Sequence, residues 1–156
     1  MNLPQPIADA LAPLFEQHPI ETMMDKLVVT EKPKPEFVAL VDACLRTEAL
    51  AGRKDLAAGL WLYIDDLDRS HSVSQEMKDA TGSFWHGIMH RREGDFSNSH
   101  YWFARTGDHP AMKNIKGYEP DQFVDDASEE YTHPSTRLIQ LQRAEWQALF
   151  EWCAKR

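Results

Sequence analysis

The pattern on both sides of Gly94 limits this chain to a fold built from antiparallel helices. Apolar residues recur there at helical spacing, so that they share one face of a helix. Before the glycine these residues are Phe84, Trp85, Ile88 and Met89; after it the inner face carries Phe96, Ser99 and Phe103. Glycine enters the left-handed conformation without steric cost and therefore often ends a helix. The sequence predicts a helix hairpin that turns at Gly94.

Capping residues give the ends of the two predicted helices. The hydroxyl of Thr81 or Ser83 can satisfy amide donors that the first turn leaves free. Asp95 can cap the second helix in the same way, and that helix should end at Gly107, with a proline shortly after it.

The turn Gly94-Asp95-Phe96 between two such helices resembles the turn of a tetratricopeptide repeat. Gly87 stands where that repeat has a small residue, and Pro110 lies near its closing proline, whereas Ser99 replaces the usual alanine. This resemblance implies a helix pair and no particular function.

The remaining sequence shows further helical patterns and no convincing strand. We predict helices over residues 6–17, 19–28, 36–50, 54–69 and 134–155, with a kink or break at Pro13. Residues 30–35 should form an extended linker, because each proline disfavours helix in the residue before it. The predicted fold is all-α: a compact bundle of antiparallel helix hairpins with a long C-terminal helix.

One domain is expected over residues 1–156, since this length suffices for a single core. It divides into short N-terminal helices and a linker (1–35), two hairpins (36–118), an acidic connection (119–133) and the C-terminal helix (134–156). Part of the acidic connection should form a short helix through Phe123 and Val124. The connection is either a solvated surface segment or a flap that folds over the neighbouring basic hairpin. The apolar stripe of the last helix is wide enough to pack against other helices or against a second subunit in a homodimer.

Charge and cysteine content restrict the function classes. A net charge of −8 and a pI near 5.3 argue against a general nucleic-acid or membrane-surface binder. The N-terminus lacks a basic signal-peptide region, and no apolar run approaches the roughly 18 residues of a membrane helix. We therefore expect a cytoplasmic protein, in which Cys44 and Cys153 are buried, reduced thiols.

Two histidines and a glutamate form a candidate metal site. His86, His90 and Glu93 fall on one helical face. Such a set could bind a divalent transition metal: zinc, iron, nickel or manganese. It is not the HExxH protease motif, because Gly87 replaces the general-base glutamate. Further ligands or bases could come from His71, His100, His109, Asp65, Asp66 and Asp68. The alternative is a buried hydrogen-bonded histidine pair without metal.

The same hairpin could instead form a ligand groove. Arg91 and Arg92 point about 100° apart, so at most one of them can share a groove with His90. A guanidinium there would suit a small anionic or polar molecule, or a peptide. The opposite wall and the rim would carry Asn98, Tyr101, Trp102, Arg105 and His71. Aromatic and polar residues of this kind also occur in ordinary helix interfaces.

The acids at 65–68 do not form a calcium-binding loop, because the glycine and the terminal glutamate of such a loop are missing. We predict an ion-pair network between Asp65, Asp66 or Asp68 and the arginines 91, 92 or 105.

A longer signature resembles that of uncharacterised bacterial and fungal proteins. Its residues are Trp85-His86, Ile88-Met89-His90-Arg91-Arg92-Glu93, Asp95, Asn98, Tyr101-Trp102, Arg105, Gly107 and His109-Pro110, with an earlier segment at 65–71. The resemblance implies which positions matter and supplies no chemistry. Two functions therefore stay open: a small-ligand or peptide-binding module, and a metal-dependent enzyme.

Overall fold

The computed structural model describes residues 1–156, which form eight α-helices, two short 3₁₀-helices and no strand. The α-helices are α1 (Gln5–Gln17), α2 (Pro35–Leu45), α3 (Lys54–Tyr63), α4 (Leu67–Ser74), α5 (Ala80–Glu93), α6 (Phe96–Thr106), α7 (Pro120–Glu130) and α8 (Thr136–Ala154). The 3₁₀-helices span Ile20–Thr22 and Pro110–Asn114. The predicted all-α bundle is confirmed. No helix combines the length and the hydropathy needed to cross a membrane.

Helix α5 lies at the centre of the bundle. It packs against α3, α4 and α6, while α8 packs against α3 and α7. Twelve of the fourteen residues of α5 are buried. The apolar stripe of α8 is covered inside the chain, where Trp146 stacks on Phe150 and donates from Nε1 to the carbonyl of Gly59 at 2.8 Å. The stripe therefore needs no second subunit to be buried.

The hairpin that turns at Gly94 is confirmed. Gly94 has a φ of 86°, and Asp95 caps α6 by accepting a hydrogen bond from the Asn98 amide at 3.1 Å. The predicted cap of α5 was wrong. Helix α5 begins one residue before Thr81, and its cap is Asp79, which accepts from the Gly82 amide at 2.9 Å.

The predicted continuous helix 54–69 was also wrong, because the chain turns at Asp65. Asp65 has a φ of 65°, in the left-handed region that aspartate tolerates better than most residues. The amides of Asp65 and Asp66 bond back to the carbonyls of Leu62 and Trp61, which closes α3 with a Schellman motif. Asp66 then caps α4 through the Arg69 amide at 3.2 Å. Helix α4 therefore begins inside the predicted helix, at Leu67, and continues past its predicted end to Ser74.

Three other boundaries differ from the prediction. Pro13 lies inside α1 without ending it, because Leu11 and Leu14 are buried on either side and hold the helix in place. Within 19–28 only three residues are helical, since side chains elsewhere bind the backbone carbonyls of Met23 and Met24. Helix α2 ends at Leu45 instead of residue 50, and turns follow it.

The acidic segment forms helix α7, so the predicted short helix through Phe123 and Val124 is confirmed and the segment is not a plain surface loop. Helix α7 buries Phe123, Val124 and Ala127, and it packs against α6 and α8. The His100 ring on α6 lies between two carboxylates of α7, with Nδ1 2.8 Å from Asp121 and Nε2 3.0 Å from Asp125. These contacts hold the acidic helix against the second half of the hairpin.

A buried ion pair joins α5 to α8. Arg91 and Glu145 are both fully buried, and Nη1 of Arg91 donates to Oε1 of Glu145 at 2.8 Å. The Tyr118 hydroxyl donates to the same carboxylate, and the Arg91 guanidinium lies 3.9 Å from the centroid of the Phe123 ring. Each charge has a partner, as burial demands.

Replacing Glu145 with Ala should lower the free energy of unfolding by about 3–5 kcal/mol, because it leaves the Arg91 charge buried without its partner. Chemical denaturation followed by circular dichroism measures this loss. Glu76→Gln is the control, because it removes an exposed pair with Lys54 and should leave the transition nearly unchanged. Equal effects of the two substitutions would contradict a structural role for the buried pair.

The His100 contacts predict a pH dependence of stability. Hydrogen bonds to Asp121 and then Asp125 outweigh desolvation and raise the pKa of His100 above its usual 6.5. The folded state therefore retains the proton more strongly than the unfolded state. The stabilisation is fully present below pH 6.5 and is lost as the pH rises through the raised pKa. The stability difference between the wild type and His100→Gln should shrink over that window, and a constant difference would contradict this.

Candidate functional site

Three imidazole rings from two helices meet beside α5. His71 lies on α4, whereas His86 and His90 lie one turn apart on α5. The ring centroids of His71 and His86 are 4.6 Å apart, those of His86 and His90 are 4.8 Å apart, and those of His71 and His90 are 5.6 Å apart. One ring nitrogen from each residue lies within 4.8 Å of the other two. We call these three residues the histidine cluster.

The turn at Asp65 brings His71 into the cluster. Because α3 ends there, α4 leaves in a new direction and packs against α5. Ser70, the residue before His71, donates its hydroxyl to the carbonyl of Ala58 at 3.0 Å and thereby fixes α4 on α3. His71 is half-buried, whereas His86 and His90 are buried, so the cluster reaches the surface at His71.

A serine holds the ring of His86. The Ser74 hydroxyl lies 2.9 Å from Nδ1 of His86 and 3.3 Å from the carbonyl of His71. A hydroxyl can both donate and accept a hydrogen bond. This contact occupies Nδ1 and leaves Nε2 as the other nitrogen of the His86 ring.

Glu93 orients His90 in a similar way. Its carboxylate Oε1 lies 2.6 Å from Nδ1 of His90 and accepts the proton of that nitrogen. A carboxylate or hydroxyl on one nitrogen of a ligating histidine is the usual arrangement around a bound metal, because it fixes the ring and raises the basicity of the other nitrogen.

His86 is neutral at physiological pH. Burial, and after it the charges of His90 and His71, lower the pKa of His86 from 6.5 to about 4. A metal must find the imidazole unprotonated. Proton competition at His86 is therefore weak at neutral pH.

The predicted ligand set of His86, His90 and Glu93 is not the one that converges. His71 takes the third position beside the two histidines, and Glu93 groups with His90 and Asp95 instead. The reason is the hydrogen bond to Nδ1 of His90, which holds the Glu93 carboxylate behind the ring. The structure therefore brings together two of the three predicted ligands.

The two arginines predicted for a groove lie elsewhere. Arg91 faces α8, as described above. Arg92 is fully buried, and its guanidinium donates to the carbonyls of Leu62 at 2.9 Å and Lys26 at 3.2 Å. Successive residues of a helix differ by about 100°, which turns both side chains away from the face of His90. Neither guanidinium is free to bind a ligand at the histidine cluster.

Helix α6 forms the opposite wall of the cluster. The half-buried Trp102 ring lies 4.2 Å from the ring of His86, centroid to centroid. The exposed Arg105 guanidinium lies 5.5 Å from the Trp102 ring and 5.8 Å from that of Tyr101, and it makes no ion pair. Asn98 belongs to the start of α6, where its side-chain amide donates to Asp95 at 2.6 Å.

The acids at 65–68 form separate pairs instead of one network. Asp65 lies 2.7 Å from Arg92, at an angle that makes the contact an ion pair and not a hydrogen bond. Asp66 pairs with Arg69 at 3.5 Å and Asp68 with Lys32 at 3.1 Å. Of the predicted partners only Arg92 takes part. Between these acids and residues 29–33 runs a groove of about 230 Å³ that reaches Glu93.

The remaining candidates lie away from the cluster. His109 is buried, with Nε2 3.3 Å from the Thr81 hydroxyl and Nδ1 accepting the Ala111 amide. Cys44 and Cys153 are free and buried, as predicted, and burial raises the pKa of Cys153 to about 12. A thiol in such a setting is unsuited to nucleophilic chemistry.

No protein-family model, curated protein or solved structure matches this chain. The function must therefore be argued from the geometry of the site.

The two aspartates beside the cluster should differ in their effect on stability. Asp66→Ala removes the cap of α4 and should cost about 1 kcal/mol. Asp68→Ala removes an exposed pair with Lys32, in which both side chains are more than 80% exposed, and should change little. Thermal unfolding of the two variants tests this order, and a larger loss for Asp68→Ala would contradict the assignment of the cap.

Proposed function

We propose that the protein binds one divalent transition metal through His71, His86 and His90. The observation that supports this best is the convergence of three imidazole nitrogens on one side of α5. Two of the rings are held at Nδ1 by Ser74 and Glu93, which leaves Nε2 of each ring available as a ligand. An ordinary hydrogen-bonded histidine pair does not require a third ring or this shared orientation.

The distances suit a metal after a small adjustment. Zinc binds imidazole nitrogen at about 2.0–2.1 Å, which separates two nitrogens of a tetrahedral site by roughly 3.4 Å. The nitrogens of the cluster already lie within 4.8 Å of one another. Metal binding would close this difference chiefly by rotation of the half-buried His71, since Ser74 and Glu93 hold the two rings of α5. Zinc, iron, nickel and manganese are all compatible with nitrogen ligands, and zinc suits a tetrahedral site well.

Three histidine ligands leave an open position, which favours an enzyme over a purely structural site. A metal at this position would polarise a water molecule or a substrate oxygen and would lower the pKa of the bound water. Both nearby carboxylates are already bonded, Glu93 to His90 and Asp95 to Asn98 at the start of α6, so the proton of such a water would pass to solvent. We therefore propose a metal-dependent enzyme that activates water or a substrate oxygen.

Metal content of the protein, purified without a histidine tag, tests the proposal. We expect one equivalent of bound metal, or stoichiometric uptake of added Zn²⁺ with a rise in melting temperature, because a ligand of the folded state stabilises it. Replacing His71, His86 or His90 with Ala should abolish the uptake. His133→Ala is the matched control, because His133 is exposed and its ring is hydrogen-bonded only to its neighbour Thr132.

Replacing the two orienting residues provides a finer test. Ser74→Ala and Glu93→Gln should weaken Zn²⁺ binding by about 10–100-fold while leaving the stoichiometry at one. A protein that takes up no metal, shows no change in melting temperature with Zn²⁺ and folds normally without the three histidines would overturn the metal site.

A metal-independent binding module is the second candidate. The observation that favours it is the exposed Arg105 over the aromatic rings of Trp102 and Tyr101. Such a surface can bind small anionic or polar molecules without any metal. Persistence of ligand binding after removal of the metal separates this function from the first.

A further inference from the structure

We propose that Arg105 and Trp102 recognise the carboxylate or phosphate group of a small molecule whose reacting end reaches the histidine cluster. This inference deepens the proposed function and rests on it, because it names the class of substrate that the metal site would take.

Arg105 is available to an external anion. Its guanidinium is exposed and forms no ion pair, although the chain carries 25 acidic residues. The arginines next to the cluster on α5 and α4 are occupied instead: Arg91 by Glu145, Arg92 by backbone carbonyls and Asp65, and Arg69 by Asp42 and Asp66. A guanidinium presents a planar fork of donors that matches a carboxylate or phosphate.

The rings under Arg105 hold it in place. The guanidinium lies 5.5 Å from the centroid of Trp102 and 5.8 Å from that of Tyr101, within the range of cation–π attraction. A side chain that is already ordered loses less conformational entropy when it binds a ligand. The aromatic faces also offer an apolar surface for the body of a small molecule.

Trp102 connects Arg105 to the histidine cluster. Residues 102 and 105 are three apart on α6 and so share a face of the helix. The Trp102 ring also lies 4.2 Å from the ring of His86, centroid to centroid. Guanidinium, indole and imidazole thus lie next to one another, from the exposed Arg105 to the buried His86.

The charge at that position also favours an anion. Three neutral imidazoles leave the two positive charges of a divalent metal uncompensated by its ligands. A net charge of −8 over the whole chain would repel anions at long range, so attraction must come from this local pair of metal and Arg105. A substrate that carries one oxyanion for Arg105 and one oxygen for the metal would satisfy both.

Calorimetric titration of the zinc-loaded protein with benzoate and with phenyl phosphate tests the inference and distinguishes the two oxyanions. We expect saturable binding of at least one probe, weakened about tenfold or more in Arg105→Gln and less in Arg105→Lys. Trp102→Leu should weaken it as well. Arg137→Gln is the matched control, because that exposed arginine of α8 pairs with Asp126 and should leave binding unchanged.

The outcomes separate this inference from the metal proposal. If the protein takes up zinc but neither probe binds in an Arg105-dependent manner, the substrate class is wrong while the metal site stands. If no metal binds but a probe still binds and depends on Arg105, the metal site is wrong while the anion site stands. Equal weakening by Arg105→Gln and Arg137→Gln would mean unspecific charge attraction and would overturn the inference.

Discussion

The buried pair of Arg91 and Glu145 is the interaction on which the rest of the structure depends. Helix α5 is the central helix, yet it carries two arginines and two histidines among its buried residues. A buried charge is tolerated only where it has an ion-pair or hydrogen-bond partner. The carboxylate of α8 supplies one partner, and the carbonyls of Leu62 and Lys26 supply another for Arg92. With both guanidiniums bound on the far faces of α5, the remaining polar face is left to the imidazoles.

That remaining face carries the proposed site because two turns of the same kind flank it. At Asp65 and at Gly94 a residue in the left-handed conformation closes a helix by a Schellman motif, and an aspartate directly after it caps the next helix. The turn at Asp65 packs α4 against α5 and so places His71 beside His86 and His90. The other lays α6 against α5 and delivers Trp102. The site is thus produced by helix ends, while the side chains that hold its rings, Ser74 and Glu93, come from the helices themselves.

The hairpin at Gly94 could be predicted because its signals are local: a glycine, a capping aspartate and apolar residues at helical spacing. The turn at Asp65 could not be predicted, because aspartate tolerates the left-handed conformation but is not a specific signal of it. The apolar pattern of the helix also continues through this position. Helical spacing correctly predicts that His86 and His90 share one face of α5. It gives the direction of each side chain around the axis of its own helix, but not which other helices pack against each face. This is why the sequence predicts one of the two arginines in the groove and Glu93 as a ligand, with His71 only as a further ligand or a rim residue. No sequence pattern indicates that Ser74 orients the ring of His86. The only hint is that Ser74 follows His71 by three residues.

The most direct test of the central claim is X-ray absorption spectroscopy of the zinc-loaded protein, which counts the imidazoles around the metal. We predict three histidine nitrogens at about 2.0–2.1 Å and one oxygen ligand around the zinc. In His71→Ala, any zinc that remains bound should have two histidine ligands. A first shell with fewer than three imidazoles, with sulfur, or unchanged in His71→Ala would contradict the claim that α4 and α5 together build the site.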